Sequence, residues 1–195
     1  MNTLNIDKEK VINAYKQGSE EQKKVFEQLF GKETFRPKNV MERVKTFEDA
    51  CRELGKEHPF VLAYQNTNLR DPEVADDNKD VIAYLKLRII AAALNEGWTP
   101  QFVKDEYRYF PYFVIRANEE IRQMSKEEKS RVVCRSDFDA GAYGGVSFAN
   151  AYYDSAYVHA GIGSRLAFKT KELAEYAGKQ FTELYADYLL NTNNA

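Results

Sequence analysis

The segment DVIAYLKLRIIAAALNEG, residues 80–97, constrains the fold of this chain more than any other. Its apolar side chains recur at the spacing of an α-helix and cover most of the circumference of that helix. The main stripe is Val81, Leu85, Ile89, Ala92 and Ala93, and it is widened by Ile82, Ile90 and Leu94. A helix that is apolar on most sides has to be buried by its neighbours. The segment therefore predicts a central helix that ends at Gly97.

Composition limits the partners that such a protein can have. The chain has 195 residues, 44% of them hydrophobic, which is enough for one domain with one shared core. A formal net charge of −2 provides no positive potential that would attract phosphate backbones, so nucleic acid is not an expected partner. No apolar run reaches membrane-spanning length, and the N-terminus lacks the pattern of a secretory signal. We expect a protein that is cytoplasmic as synthesised and has no membrane contact, with association with a virion left open.

The N-terminal part of the chain has the capping residues of short helices. Residues 7–35 predict a helical hairpin, which either joins a single domain of residues 1–195 or extends from it. Gly18 ends the first helix, Ser19 caps the second, and Gly31 stops the second. The expected apolar face of the second helix consists of Val25, Phe26, Leu29 and Phe30.

A further helix is predicted between Thr46, its N-cap, and Gly55. Its helically spaced residues place Cys51 toward the core, together with Phe47, Ala50 and Leu54. Cys51 and Cys134 are too few for a disulfide scaffold and too isolated for a zinc site. We therefore expect both thiols to be structural or idle and no metal to be bound.

Strand patterns dominate the second half of the chain, where residues 105–190 are expected to hold a sheet and a closing helix. Residues 107–116 are rich in aromatic and β-branched residues and predict a strand, which Pro111 either breaks or places at an edge. Residues 131–135 predict another strand, and residues 144–168 predict two more with glycine turns. In the last of these strands, alternation places Leu166 and Phe168 on one face, and Arg165 and Ala167 on the other.

Two helices accompany these strands. Ser125 and Glu128 have the spacing of a capping box and predict a short charged helix. Thr170 caps the closing helix, whose inner face is expected to be Leu173, Tyr176, Ala177, Phe181, Leu184 and Leu189. Helices followed by strands and one closing helix indicate an α+β fold with a small antiparallel sheet. Because both long helices carry wide apolar faces, we expect the central helix to pack against the closing helix.

Four stretches of this sequence resemble a protein family found widely in gut Bacteroidetes and in their phages and prophages. They are VKTFEDACRELG, AYLKLRIIAAALNEGW, DEYRYFPYF and GSRLAFKTKELAEYAGKQF. The resemblance covers about residues 7–190 and carries no activity that can be transferred.

The stretch GIGSRLAF also resembles a strand near the end of domains with the C-type lectin fold. These domains include relatives of the formylglycine-generating enzyme and the variable proteins of diversity-generating retroelements. In the variable proteins, exposed residues are altered within a binding site while the surrounding strands are kept. Here a helix of about twenty residues follows the stretch, where the resemblance implies the end of the chain.

Residues 141–163, the tyrosine tract, differ in composition from the rest of the chain. There is no Lys, Arg, Glu or Gln between residues 137 and 163, and half of the glycines of the chain lie there. One interpretation is a β-hairpin whose tyrosines pack on the sheet, with Gly144 and Gly145 at a turn or bulge. The other is a recognition surface, because Tyr, Ser, Gly and Asn are typical of adaptable binding loops.

The second interpretation assigns ligand or partner binding to eight residues. They are Tyr143, Asn150, Tyr152, Tyr153, Asp154, Tyr157, His159 and Arg165. Two interpretations are open for Arg165. It either has a structural role, in which it pairs with a carboxylate or a helix carbonyl, or it binds an anionic or other ligand.

Catalysis has little support in the sequence. The two histidines, His58 and His159, are far apart, and the acidic pairs Asp76–Asp77 and Glu119–Glu120 lie in charged segments. We therefore expect no catalytic residue and no cofactor. The predicted function is a noncatalytic binding module of phage or prophage origin whose partner is a protein or a small molecule. The alternative is an intracellular factor that sequesters a small ligand, or a virion component that uses the tract to form a homo-oligomer.

Overall fold

A computed structural model describes residues 5–101, 106–134, 143–155 and 164–190. The chain divides into two units, Met1–Arg43 and Val44–Ala195. In the described part the helices are α1 (Lys8–Gln17), α2 (Glu20–Phe30), α3 (Val40–Arg43), α4 (Phe47–Leu54), α5 (Pro59–Gln65), α6 (Lys79–Leu94), α7 (Asn118–Gln123), α8 (Lys126–Lys129), α9 (Lys171–Gln180) and α10 (Thr182–Leu189). The strands are β1 (Tyr107–Ala117), β2 (Val132–Cys134) and β3 (Tyr143–Ser155). Short 3-10 turns lie at Lys32–Thr34, Asn68–Arg70, Asp76–Asn78 and Ser164–Leu166.

The first unit contains the predicted helical hairpin of α1 and α2. Ser19 and Gln22 form a capping box at the start of α2, and Gly31 follows its end with a φ of 78°. Aromatic rings hold the two helices together: Tyr15 of α1 contacts Phe26 of α2 edge to face, at 6.4 Å between ring centroids. Tyr15 also stacks on Phe35, which follows α2, at 4.1 Å. The expected apolar face of α2 is correct for its two phenylalanines, Phe26 and Phe30, which join this ring cluster. It is wrong for Val25 and Leu29, which are exposed.

Helix α6 is the centre of the second unit, as its apolar pattern predicts. Helices α4, α5 and α10 all pack against it. Its buried residues are Ala83, Leu87, Ile89, Ile90, Ala91, Ala93 and Leu94. The predicted stripe is therefore rotated: Val81 is exposed and Ala92 is half-buried, whereas Leu87 is buried. The reason is that a helix that is apolar on most sides is oriented by its neighbours and not by its own pattern.

The closing helix packs against α6 as predicted, but it consists of two helices, α9 and α10. Phe181 separates them with non-helical angles (φ −117°, ψ 29°), and the Thr182 hydroxyl donates to the Gly178 carbonyl at 2.6 Å. Because the break turns the second helix, Tyr185 and Ala186 are buried. The expected inner position of Leu189 is wrong, since that side chain is exposed. Helix α9 also packs on β1 and β3, so that the pair α9–α10 lies between α6 and the sheet.

The sheet is antiparallel in the order β1-β3-β2, which confirms the α+β class. Strand β1 lies at an edge and contains Pro111, as predicted. Its pairing with β3 shifts register twice, which leaves Ala149 and Gly144 as extra residues on β3. Of the two glycines that the hairpin interpretation places at a turn or bulge, Gly144 lies at a bulge.

The strand predicted over residues 164–168 is wrong. Ser164–Leu166 form a 3-10 turn, and Phe168 alone makes a bridge to β1, in which it exchanges both main-chain hydrogen bonds with Tyr109 (3.0 and 2.7 Å). Leu166 and Phe168 are buried as expected, but Ala167 between them is buried as well. A segment that is enclosed on all sides shows no alternation between an inner and an outer face. In the described residues, one long strand, β3, replaces the first of the two strands expected between residues 144 and 168.

Candidate functional site

Six aromatic side chains form a continuous cluster on β1 and β3, which we call the tyrosine cluster. Its members are Tyr107, Tyr109, Phe110, Tyr112, Tyr152 and Tyr153. The strand register creates it, because Tyr109 lies opposite Tyr153 and Phe110 lies opposite Tyr152. Directly opposite residues of an antiparallel pair have their side chains in contact range. The rings of Tyr152 and Tyr153 lie 5.9 Å apart and join the two groups.

The tyrosine cluster is exposed. The exposed fractions are 50% for Tyr107, 53% for Tyr112, 57% for Tyr152 and 55% for Tyr153. By contrast, Phe168, which is bridged to Tyr109, is fully buried. These four residues are therefore partly packed on their neighbours and partly open to solvent, whereas Tyr109 and Phe110 are half-buried. A contiguous aromatic patch of this kind is typical of a binding surface, whereas scattered exposed apolar residues are not.

The structure brings together some of the residues assigned to binding from the sequence. Tyr152 and Tyr153 lie in the cluster, and the exposed Asn150 lies opposite Tyr112. Arg165 lies elsewhere: its guanidinium packs over the ring of Phe60 in α5, 5.2 Å from the centroid. The side chains of Tyr143 and Asp154, and the residues Tyr157 and His159, lie outside the described residues.

The tyrosines of β1 are candidate binding residues that the sequence analysis does not identify. The sequence predicts residues 107–116 only as a strand, although five of the seven positions from 107 to 113 are aromatic. Tyr107, Tyr109 and Tyr112 join the cluster because β1 pairs with the tyrosine tract. The high number of tyrosines in a predicted edge strand could have indicated an aromatic surface. The sequence does not show, however, which strand pairs with this one.

A groove of about 740 Å³ runs beside the cluster, between the sheet and the helices α9 and α10. Its lining includes Phe148, Ala149 and Asn150 of β3. Two cations at the groove are paired with carboxylates. Nζ of Lys179 lies 3.7 Å from a carboxylate oxygen of Glu175, and Nη2 of Arg131 lies 2.5 Å from a carboxylate oxygen of Glu127 in α8. The groove therefore offers hydrogen-bonding groups beside one aromatic ring, that of Phe148, and its two cations are each paired with a carboxylate.

The residues weighed for catalysis have structural roles where they are described. Nδ1 of His58 accepts a hydrogen bond from the Phe60 main chain (3.2 Å), so the histidine caps helix α5. The acidic pairs are exposed, with Asp76 and Glu119 each in a local ion pair. Cys51 is half-buried, less enclosed than expected, and burial raises the pKa of its thiol.

In the part of the chain that the structure describes, no group of three or more His, Cys, Asp and Glu side chains is placed to hold a metal ion. None of the helices described is both long enough and apolar enough to cross a membrane.

Comparisons with family models, with curated proteins and with solved structures give no match for this chain. The candidate site therefore rests on the geometry of the described residues.

Proposed function

We propose that this protein is a noncatalytic binding module that recognises a partner through the tyrosine cluster. The observation that carries the proposal is the exposure of four contacting tyrosines, each about half accessible, on one strand pair. Tyrosine suits this role because its ring offers a large contact area, its hydroxyl can form a hydrogen bond, and few rotatable bonds are frozen on binding.

The partner that fits this surface is a protein or peptide with apolar and uncharged polar side chains. Rings that already pack on one another need little reordering, so little conformational entropy is lost when a partner covers them. The resemblance to phage and prophage proteins favours a host or virion protein as that partner. A few aromatic anchors usually dominate the energy of such an interface, and Tyr112 and Tyr152 are placed to be those anchors.

A displayed library of random peptides tests this proposal without knowledge of the natural partner. Wild-type protein and the double variant Tyr112→Ala/Tyr152→Ala are immobilised, and the library is selected on each. We expect sequences enriched on the wild-type protein to lose at least tenfold in binding to the double variant, equivalent to about 1.4 kcal/mol. Leu29→Ala is the matched control, because Leu29 is an exposed apolar side chain outside the cluster. Equal enrichment on both proteins, or none on the wild type, contradicts the proposal.

The groove supports a second candidate function, the sequestration of a small ligand. A volume of about 740 Å³ is in the range of small-molecule sites. A ligand in the groove would contact Phe148 and Asn150 and leave the outer rings of Tyr107 and Tyr112 free. Asn150→Leu should then abolish binding of that ligand while Tyr112→Ala does not, which is the reverse of the result expected for the tyrosine cluster.

A further inference from the structure

We propose that Arg88 and Arg165, which both lie against the ring of Phe60, form a binding site for a phosphate group. The site is built from α5, α6 and the turn Ser164–Leu166. This inference goes beyond recognition by the tyrosine cluster, because none of these residues belongs to β1 or β3.

The first step is that two positive charges converge on one ring. The guanidinium carbon of Arg88 lies 4.3 Å from the centroid of the Phe60 ring, and that of Arg165 lies 5.2 Å from the same centroid. The distance between the two carbons is therefore at most the sum of these values. A phosphate group that accepts a hydrogen bond on each side spans about 8 Å between the two donor nitrogens. Because Arg165 is exposed and can adjust its rotamer, one phosphate group is within reach of both side chains.

The second step is that no carboxylate neutralises these charges. In the part of the chain that the structure describes, neither guanidinium has an ion-pair partner, and Nε of Arg88 is buried without a hydrogen-bond acceptor. Four other arginines have carboxylate partners, namely Arg36, Arg52, Arg122 and Arg131. Arg88 and Arg165 therefore keep a positive potential that an anion would neutralise. The partial burial of Arg88 strengthens that attraction, because solvent screens it less.

The third step is that the contact with Phe60 leaves the donors of both arginines available. A guanidinium that lies over an aromatic ring uses its flat face, whereas its N–H groups point outward in its own plane. These N–H groups are the ones that bind two oxygens of a phosphate group at once. Arg88 is also held by the ring of Tyr84, 5.5 Å away, which stacks in turn on Tyr188. Arg88 is thus in place before a ligand binds, so that little side-chain entropy is lost on binding.

His58 adds a third donor at the same ring. Its imidazole lies edge to face against Phe60, at 5.1 Å between ring centroids. Because Nδ1 accepts a hydrogen bond from the Phe60 main chain, the proton of the neutral imidazole is on Nε2. The Nε2–H group forms no hydrogen bond within the described ranges. It is therefore available to an oxygen of the ligand.

A phosphate group matches this set of donors better than a carboxylate does. The two charges of a phosphate dianion balance the two arginines, whereas a carboxylate balances only one of them. A phosphate group is also tetrahedral, so it accepts hydrogen bonds from several directions. The donors come from three separate elements, α6, the turn at Arg165 and the residue that caps α5. The two oxygens of a carboxylate are already satisfied by one guanidinium.

Isothermal titration calorimetry with inorganic phosphate tests the proposal, at constant ionic strength and about pH 8, where phosphate is mostly a dianion. We expect the wild-type protein to bind one phosphate per chain. Arg165→Gln should raise the dissociation constant at least tenfold, and Arg88→Gln should do the same. Arg165→Lys keeps the charge without the paired donors, so its loss should be smaller. Acetate in place of phosphate should bind at least tenfold more weakly to the wild type.

Arg122→Gln is the matched control, because Nη1 of Arg122 lies 3.6 Å from a carboxylate oxygen of Glu119. It removes a positive charge that is already paired and should leave the dissociation constant unchanged. Arg165 is exposed, so its variants keep the test valid even if Arg88→Gln fails to fold. No binding to the wild type, equal binding to Arg165→Gln, or an equal loss in Arg122→Gln overturns the proposal. Equally tight binding of acetate overturns the assignment to phosphate.

Two sources of the phosphate group are distinguished by a second pair of probes. Glycerol 3-phosphate is a soluble monoester, and vesicles that contain phosphatidic acid carry the same group on a lipid. Binding of the soluble ester without sedimentation of the protein with the vesicles assigns a small molecule, and the reverse assigns a lipid headgroup. The double variant Tyr112→Ala/Tyr152→Ala should bind phosphate as the wild type does. The phosphate site and recognition by the tyrosine cluster can therefore fail independently.

Discussion

Gly178 of α9 lies against Pro111 of β1, so closely that a Cβ atom on Gly178 would be 2.7 Å from Cβ of Pro111. The same atom would also meet the ring of Phe148 in β3. This contact sets the distance between the helix and the sheet that carries the tyrosine cluster. The glycine is buried within a regular helix, so close approach and not an unusual φ angle requires it there.

Gly178→Ala should therefore lower the free energy of unfolding. Alanine gains about 0.5 to 1 kcal/mol of helix propensity, but overpacking against Pro111 and Phe148 costs about 1 to 3 kcal/mol. We expect a net loss of about 1 to 2 kcal/mol in urea unfolding. The loss should shrink in a Phe148→Ala background, where the ring is absent. A gain in stability in the wild-type background would show that the helix does not rest on the sheet at this position.

Asn95, at the C-terminal end of α6, links that helix to the segment before α9. Its Nδ2 donates to the Ala167 carbonyl at 2.8 Å, and its Oδ1 accepts from the Lys169 N–H at 3.1 Å. Asn95 is buried, so Asn95→Ala leaves two main-chain groups without this partner and should cost about 2 to 4 kcal/mol. The control is Asn150→Ala at an exposed position, which should stay within about 0.5 kcal/mol. Equal losses measured by thermal unfolding would contradict this role.

Truncation after Lys169 should abolish cooperative unfolding of the second unit. Helices α9 and α10 lie between α6 and the sheet, so their removal exposes apolar residues of both. Val146 of β3, fully buried in the intact chain, is one of them, because it packs in a buried cluster with Ala186 and Leu190. Calorimetry is the measurement. A sharp transition in the truncated protein would show that α6 and its neighbours form a separate core.

Stability should fall in alkaline solution because of Tyr185. Burial raises the pKa of the Tyr185 phenol far above its ordinary value, and the neighbouring Tyr188 adds to the shift. Below about pH 10 the phenol is neutral in both the folded and the unfolded state, so its full contribution to the free energy of unfolding is present. Above about pH 10 only the unfolded state loses the proton, so the free energy of unfolding falls by up to 1.4 kcal/mol per pH unit.

Urea unfolding of wild-type protein and Tyr185→Phe, between about pH 8 and pH 11, tests this sign. The variant should show a shallower fall, since it has one fewer buried phenol. Phe113→Leu is the control, because Phe113 packs on Tyr185 at 4.8 Å and has no proton to lose. The free energy of unfolding of Phe113→Leu should be lower than that of the wild type by the same amount at every pH. Parallel curves for wild type and Tyr185→Phe would rule out Tyr185 as the source.

Local signals in the sequence predicted the starts of several helices, although α3, α5 and α7 were not predicted. Ser19, Thr46, Ser125 and Thr170 were expected as N-caps, and in the structure each side chain accepts a hydrogen bond from the main chain of its helix. Such caps act over three residues, so they need no knowledge of the tertiary fold. The edge position of β1 was also predictable, because Pro111 limits where a strand can lie in a sheet.

Features that depend on distant contacts were not predictable. The break at Phe181 leaves the apolar spacing of the closing helix almost unchanged, so nothing in that spacing shows that Leu189 faces out. The enclosure of Ala167 depends on elements far away in the chain. At the candidate site, the composition of the tyrosine tract indicated Tyr152 and Tyr153. The tyrosines of β1 could be assigned to the cluster only from the pairing register of β1 and β3, which the sequence does not show.

The central claim is that the fold does not depend on the tyrosine cluster for its stability, so that the cluster is available for binding. The most direct measurement is the free energy of unfolding of Tyr152→Ala compared with that of Phe168→Ala. Tyr152 is 57% exposed, and we expect its replacement to cost within about 1 kcal/mol, the value of a cross-strand aromatic pair. Phe168 is fully buried, and its replacement should cost about 3 to 5 kcal/mol through lost burial and a cavity. Equal losses for the two variants would place Tyr152 in the core and contradict recognition by the cluster.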